Sequence, residues 1–161
     1  MHSKHYQSIF DRTIADTFFP QQVNPVYIGA LLRERHKSAA VADAVKRALY
    51  YGKTDRLNGN VPANVEDLPF NIDRDILHAI LGMESEMAEI TEAALNQDRA
   101  KIIDEAGDYL WYLSLLFRQF QIDFEEVFGK NIDKLRKRYP DQFTLELAVN
   151  RDLEAEQAVF N

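Results

Sequence analysis

Apolar residues return at helical spacing along most of the chain, most regularly between residues 73 and 139. Ile76, Ile80, Met83, Met87, Ile90 and Ala94 form one stripe. Asp73 precedes it as an N-cap, so the pattern predicts a helix from there to about Leu95. Asn96-Gln97-Asp98 is a short break. A second helix, from about Arg99 to Gln119, contains Tyr109-Leu110-Trp111-Tyr112-Leu113-Ser114-Leu115-Leu116-Phe117. That run is apolar on nearly every side, which predicts a central helix buried all round. Asp123 starts a further helix that reaches about Tyr139, where Pro140 stops it.

The flanks are less regular. The first twenty residues carry no clear period and end in Phe18-Phe19-Pro20. Asn24-Pro25 predicts a helix start, because proline at the first helical position loses no needed hydrogen bond. Val26, Ile28, Leu31 and Leu32 supply its apolar positions to about Arg35. Ser38 reads as a second N-cap, and Val41, Val45 and Leu49 recur until Gly52 offers a C-cap. Residues 52–70 hold Gly52, Asn58, Gly59, Asn60, Pro62 and Pro69 and read as a long connecting loop. In the tail, Phe143, Leu145, Leu147 and Val149 alternate like a strand, while Asp152 to Phe160 look helical. The reading is irregular structure followed by a short helix. The class is all-α, with residues 1–161 as one domain: N-terminal helices and loop to 70, a core carrying acids and a basic helix over 71–140, and a tail from 141.

Composition narrows the function. The chain has 161 residues, 46% hydrophobic and 28% charged, as expected of a globular domain with a real core. Six glycines and five prolines are sparse punctuation, in keeping with a few long elements. Cysteine is absent, which removes disulfides and thiolate chemistry. No run of about 18 apolar residues is present, so no membrane partner is expected. The first residues, Met1-His2-Ser3-Lys4-His5, lack the apolar stretch of a signal peptide, and a cytoplasmic location is the expectation. A net charge of −7 argues against a nucleic acid polymer as partner. Five basic residues between Lys130 and Arg138, against Asp133 alone, leave room for a small anion bound locally.

Two acidic pairs carry the candidate chemistry. Glu86 and Glu89 are three apart on the first long helix, Glu105 and Asp108 three apart on the second. A spacing of three places pair members about 60° apart, one turn along the helix. The residues between the pairs allow one helix to finish and the next to return antiparallel, so the pairs could face each other. Glu86 and Glu89 share a flank with His78, Ala79, Gly82 and Ala93, mostly small residues, and are expected to project into open space. Glu105 and Asp108 lie with Lys101 and Tyr112 on one side of the apolar segment. Carboxylates about 5.5 Å apart repel by roughly 3 kcal/mol even at an effective dielectric near 20. Such a cluster needs protons, a nearby cation such as Lys101, or a hard divalent metal, for which an all-oxygen cage suits Mg²⁺ or Mn²⁺. The alternative is solvated helix faces, which suits Glu84 and Glu92 better than Glu105 and Asp108. On periodicity alone both readings stand.

Resemblance adds to this. The stretch Gly82-Met83-Glu84-Ser85-Glu86-Met87-Ala88-Glu89-Ile90, followed by Asp104-Glu105-Ala106-Gly107-Asp108-Tyr109-Leu110-Trp111-Tyr112, resembles the MazG-like family of the all-α nucleoside triphosphate pyrophosphohydrolases. The signature of that family is a Glu-x-x-Glu pair and a Glu-x-x-Asp pair on facing helices. Asn131-Ile132-Asp133-Lys134-Leu135-Arg136-Lys137-Arg138-Tyr139-Pro140, with Phe143 and Arg151 beyond, is similar to the Asn-x-x-Lys-Leu-x-x-Arg-Tyr segment of many members. The resemblance covers roughly residues 73–155. Ser85 departs from it, standing where many members carry a further Glu. Tyr51-Gly52-Lys53 resembles a segment that some relatives place between the acidic pairs; here it lies upstream of both, and no role is transferred to it.

The resemblance implies a helical bundle with two facing carboxylate-bearing helices, assembled as a homodimer or homotetramer. It implies cleavage of a nucleoside triphosphate to the monophosphate and pyrophosphate. Glu86, Glu89, Glu105 and Asp108 would hold Mg²⁺, with Mn²⁺ as an alternative, and Glu86 or Glu89 would take the proton of the attacking water. Lys134 and Arg138, four apart on one helix face, would cover phosphate charge, and Asn131 would bond base or sugar. Lys101 is a further candidate for the phosphate, and Tyr112 for stacking on the base. Without the resemblance, the basic cluster reads as cations favoured by a helix C-terminus, Trp111 as core, and His78 as a satisfied polar contact. A di-iron carboxylate bundle is excluded, because none of the histidines at 2, 5, 36 and 78 stands three after a Glu. The remaining rival is a nucleotide-binding or regulatory helical module without turnover.

Overall fold

The computed structural model describes residues 2–58 and 72–161. Among these residues the regular structure is all helical: α1 (His2–Thr13), α2 (Pro25–Tyr51), α3 (Arg74–Leu95), α4 (Arg99–Phe120), α5 (Phe124–Arg138), α6 (Leu145–Val149) and α7 (Leu153–Gln157), with short 3₁₀ turns at Pro20–Gln22 and Ala158–Phe160. They fall into two compact units. One comprises residues 24–121, with α2, α3 and α4; the other comprises residues 1–23 and 122–161.

Local signals place the helix ends. The Asp73 carboxylate accepts from the backbone N–H groups of Asp75 and Ile76, Asp98 from Lys101 and Asp123 from Glu126. Each satisfies donors that the first turn leaves without an intrahelical partner. Asn24 caps α2 ahead of Pro25, and Gly52 closes it in the left-handed region at φ 66°, a conformation costly for residues with a Cβ.

Four expectations change. The N-terminal stretch without a period contains α1, whose Ile9 is buried and whose Tyr6 ring meets Phe128 of α5 at 5.1 Å. The two helices expected between Pro25 and Gly52 are one: Ser38 lies inside α2, and Lys37 pairs with Glu34 at 2.8 Å across the expected break. Nothing in Arg33–Ala40 interrupts a helix, and its Ala, Arg, Lys and Glu favour one. Of the alternating residues of the tail, Leu145, Leu147 and Val149 lie in the short helix α6, capped by Thr144, and Phe143 precedes it. Of the loop at 52–70, the residues from Gly59 onward lie outside those described; Gly52–Asn58 is non-helical.

The fourth change concerns the centre of the larger unit. There α3 packs against both α2 and α4, and α4 is not buried all round. Ile103, Leu110, Trp111 and Phe120 are each at least half exposed, whereas Tyr112 and Glu105 are buried. The reason is residue size. Ala79, Gly82 and Ala93 give α3 a face of small side chains, and these are among its most buried positions. A neighbouring helix can approach such a face closely. The Tyr112 ring occupies the space beside Gly82, where a Cβ would overlap it.

Candidate metal centre

The short turn at Asn96-Gln97-Asp98, with Gln97 left-handed at φ 56°, returns α4 along α3. Glu86 of α3 and Glu105 and Asp108 of α4 thereby each bring one carboxylate oxygen within 4.8 Å of the others. Glu89 joins them through a hydrogen bond with Glu105. The Lys101 ammonium stands 3.9 Å from Glu89 and 4.0 Å from Glu105. All the carboxylate donors are hard oxygens from three-residue spacings on two adjacent helices, a set that fits Mg²⁺ or Mn²⁺ in donor chemistry.

The electrostatics of the cluster are those of negative charge in excess. Glu105 is only 8% exposed. Burial first, then the charge and hydrogen bond of Glu89 and the charge of Glu86, push its pKa up to about 7, with Lys101 pulling the other way. Glu86 is also raised. Burial is the main cause, Lys46 opposes it, and Glu89 and Asp108 add to it.

Lys46 was not among the residues expected here. It comes from α2, is 5% exposed, and places its ammonium 3.3 Å from Glu86 Oε1, 3.4 Å from Ser85 Oγ and 3.4 Å from Asp43 Oδ1. It also lies over the Tyr112 ring, 5.1 Å from the centroid. Burial would lower its pKa, but Tyr112, Glu86 and Asp43 outweigh this and raise it. Both members of the Lys46–Glu86 pair are therefore shifted upward: at Glu86 burial and the further carboxylates outweigh Lys46, and at Lys46 Tyr112, Glu86 and Asp43 outweigh burial. A signal for Lys46 existed. Position 46 continues the stripe of Ala39 and Ala42 at helical spacing, which makes it a lysine on a buried face of small residues.

On this flank Glu86 does not project into open space as the small side chains suggested, since Tyr112 and Lys46 fill it, whereas Glu89 is about half exposed. His78 on that flank is not a satisfied polar contact either. Its ring stacks on Tyr50 at 3.9 Å, its Nε2 is buried without a hydrogen-bond partner, and burial with nearby Lys46 lowers its pKa. Trp111 is exposed rather than core. With Tyr51, Tyr112 and Asp108 it lines a recess of about 260 Å³ beside the carboxylates. A groove of about 360 Å³ between α2 and α3, lined by Leu32, His36, Ala88 and Leu95 among others, includes none of Glu86, Glu89, Glu105 and Asp108.

The other expected residues, Asn131, Lys134 and Arg138, lie on α5, in the smaller unit. Arg138 is engaged there. Its guanidinium makes two hydrogen bonds to Glu156, one of them from Nε at 2.9 Å to Oε1. Arg151 donates to the same carboxylate at 2.7 Å. These hydrogen bonds hold Glu156 down at about 2, against the smaller effect of burial, and raise Arg138.

Residues 75–143 match the family model of the MazG nucleotide pyrophosphohydrolase domain. No curated protein and no solved structure matches the chain. No helix among the described residues is long and apolar enough to cross a membrane. The matched stretch holds both acidic pairs and the basic helix, and over those residues the chain is similar to the MazG nucleotide pyrophosphohydrolase domain, in keeping with a MazG-like family.

Proposed function

We propose that the protein is a divalent-metal-dependent nucleoside triphosphate pyrophosphohydrolase, releasing a nucleoside monophosphate and pyrophosphate. The observation that carries this reading is the convergence of Glu86, Glu105 and Asp108 within 4.8 Å inside the matched domain. Glu86, Glu89, Glu105 and Asp108 would hold the metal, Mg²⁺ or alternatively Mn²⁺. When bound, such an ion neutralises phosphate oxygens and makes a coordinated water more acidic.

The chain's own groups supply the rest. Water attacks phosphorus in line, the anhydride bond breaks, pyrophosphate leaves, and a carboxylate takes the proton. Of the two bases expected, Glu89 suits this better than Glu86: it is about half exposed, whereas Glu86 is buried and accepts from Lys46. Lys101, whose ammonium is 3.9 Å from Glu89, is proposed to meet phosphate oxygens. The recess of Tyr51, Trp111 and Tyr112 adjoins Asp108 and offers aromatic faces to a base. Lys134 and Asn131 of α5 are proposed to contact phosphate and base or sugar, on the strength of the resemblance. Arg138 would do so only in exchange for part of its pairing with Glu156.

The assembly is proposed to be a homodimer or homotetramer in the cytoplasm. Val26, Ile28, Leu31, Val41 and Leu49 run along α2 exposed, a row that another helical subunit would cover. The test is pyrophosphate release from a panel of canonical and damaged nucleoside triphosphates, with Mg²⁺, with Mn²⁺ and with chelator. Metal-dependent release that Glu105→Gln lowers at least about a hundredfold is expected. Folded protein that binds nucleotide but never turns it over would establish the non-catalytic module instead.

A further inference from the structure

Lys46 enters the reading above only as the partner that engages Glu86, yet it is the most buried cation among the described residues and touches the acidic centre directly. A surface lysine is a mobile, hydrated charge. This one is held by three acceptors on two helices, Asp43, Ser85 and Glu86, and by the face of Tyr112. Its ammonium is therefore a fixed positive charge at the Glu86 end of the cluster. Asp43 does not cancel it, because Asp43 is itself paired with Arg56 at 2.7 Å.

The charge count has a consequence for cation binding. Glu86, Glu89, Glu105 and Asp108 bring four negative charges; Lys46 and Lys101 return two positive ones. The remainder matches one divalent ion. A second would leave the centre positively charged, with the buried Lys46 ammonium 3.3 Å from Glu86, one of the carboxylates that would hold it. Ser85 acts in the same direction. Where an acid would add negative charge and call for more cation, this chain has a neutral hydroxyl that accepts from Lys46. We propose that Lys46 is a built-in cation of the centre, a positioning residue that occupies the electrostatic place of a second metal ion, so that each chain holds a single divalent ion in the absence of nucleotide. This rests on the metal-dependent reading of the site.

The test counts Mn²⁺ bound per full-length chain, without nucleotide, by electron paramagnetic resonance and equilibrium dialysis at pH 8. One Mn²⁺ per wild-type chain is expected. Lys46→Met keeps the stem and removes the charge, leaving the centre more negative by one; it should tighten Mn²⁺ by about tenfold or more. Lys46→Arg, which keeps the charge, should retain one ion with little change in affinity. Two ions on the wild type, or one ion of unchanged or weaker affinity on Lys46→Met, would overturn the inference while leaving a metal-dependent enzyme intact. Folded wild type that takes up no Mn²⁺ would overturn the metal-dependent reading itself, and this inference with it. Should Lys46→Met fail to fold, the wild-type stoichiometry decides alone.

Discussion

Glu105 in the larger unit and Glu156 in the smaller one are the same residue type, 8% and 4% exposed, and their carboxyl groups are driven in opposite directions. Glu105 is pushed up to about 7 by burial and by Glu89 and Glu86. Glu156 is held at about 2 by hydrogen bonds from Arg138 and Arg151. Burial is common to both, so it does not decide the outcome; the sign of the neighbouring charges does. At Glu156 the fold has completed its own ion pairs, and the result is a structural clasp between α5 and the C-terminal segment. At Glu105 like charges are held together, a cost to stability that a cation from outside would relieve. A buried acid that the protein leaves incompletely neutralised is a better guide to a site than a buried acid as such.

That contrast can be broken in three ways. The largest effect is expected from Glu156→Gln, which leaves two arginines without their carboxylate and should cost about 3 kcal/mol in urea unfolding at pH 7. The pH dependence has a defined sign. The folded pKa of about 2 lies below the usual 4.5, so the stabilisation is present above pH 4.5 and is lost as pH falls towards 2. In Glu156→Gln this acid limb should flatten. An acid limb that persists would mean that other carboxylates dominate it.

A somewhat smaller effect is expected from metal. Mg²⁺ at a hundred times its dissociation constant should stabilise the wild type by about 2.7 kcal/mol, with little effect on Glu105→Gln. Equal thermal stabilisation of both proteins would place the ion away from this cluster. The smallest effect is expected from Gly82→Ala, whose methyl would overlap the Tyr112 ring. Forcing the ring aside should cost about 1–3 kcal/mol, measured by denaturant midpoint. A neutral result would show that α3 and α4 can separate without loss, and that the close approach is not needed to hold the two acidic helices together.

Helix ends and the acidic spacings were legible along the chain because both depend on neighbours within about one turn. Asp73, Asp98 and Asp123 cap the helices they precede, Gly52 ends α2, and the three-residue spacings put Glu86 with Glu89 and Glu105 with Asp108. The family signature is made of these same local features, and the matched domain spans them. Helix α1 was not legible, because its support is a contact between residues more than a hundred positions apart, Tyr6 with Phe128. The exposure of α4 was missed for a related reason. A run of Tyr, Leu, Trp and Phe records how apolar a helix is, and not how many neighbours cover it.

The centre divides in the same way. Which acids are candidates for it was legible in the sequence, since carboxylates at helical spacing are a one-dimensional pattern. Their balance of charge was decided only in three dimensions. Lys46 lies forty residues before Glu86, on another helix, and only the packing of α2 on α3 brings its ammonium to the carboxylate. Coulomb energy depends on distance through space and on the solvent excluded from between the charges. Neither quantity is written in the order of residues along the chain.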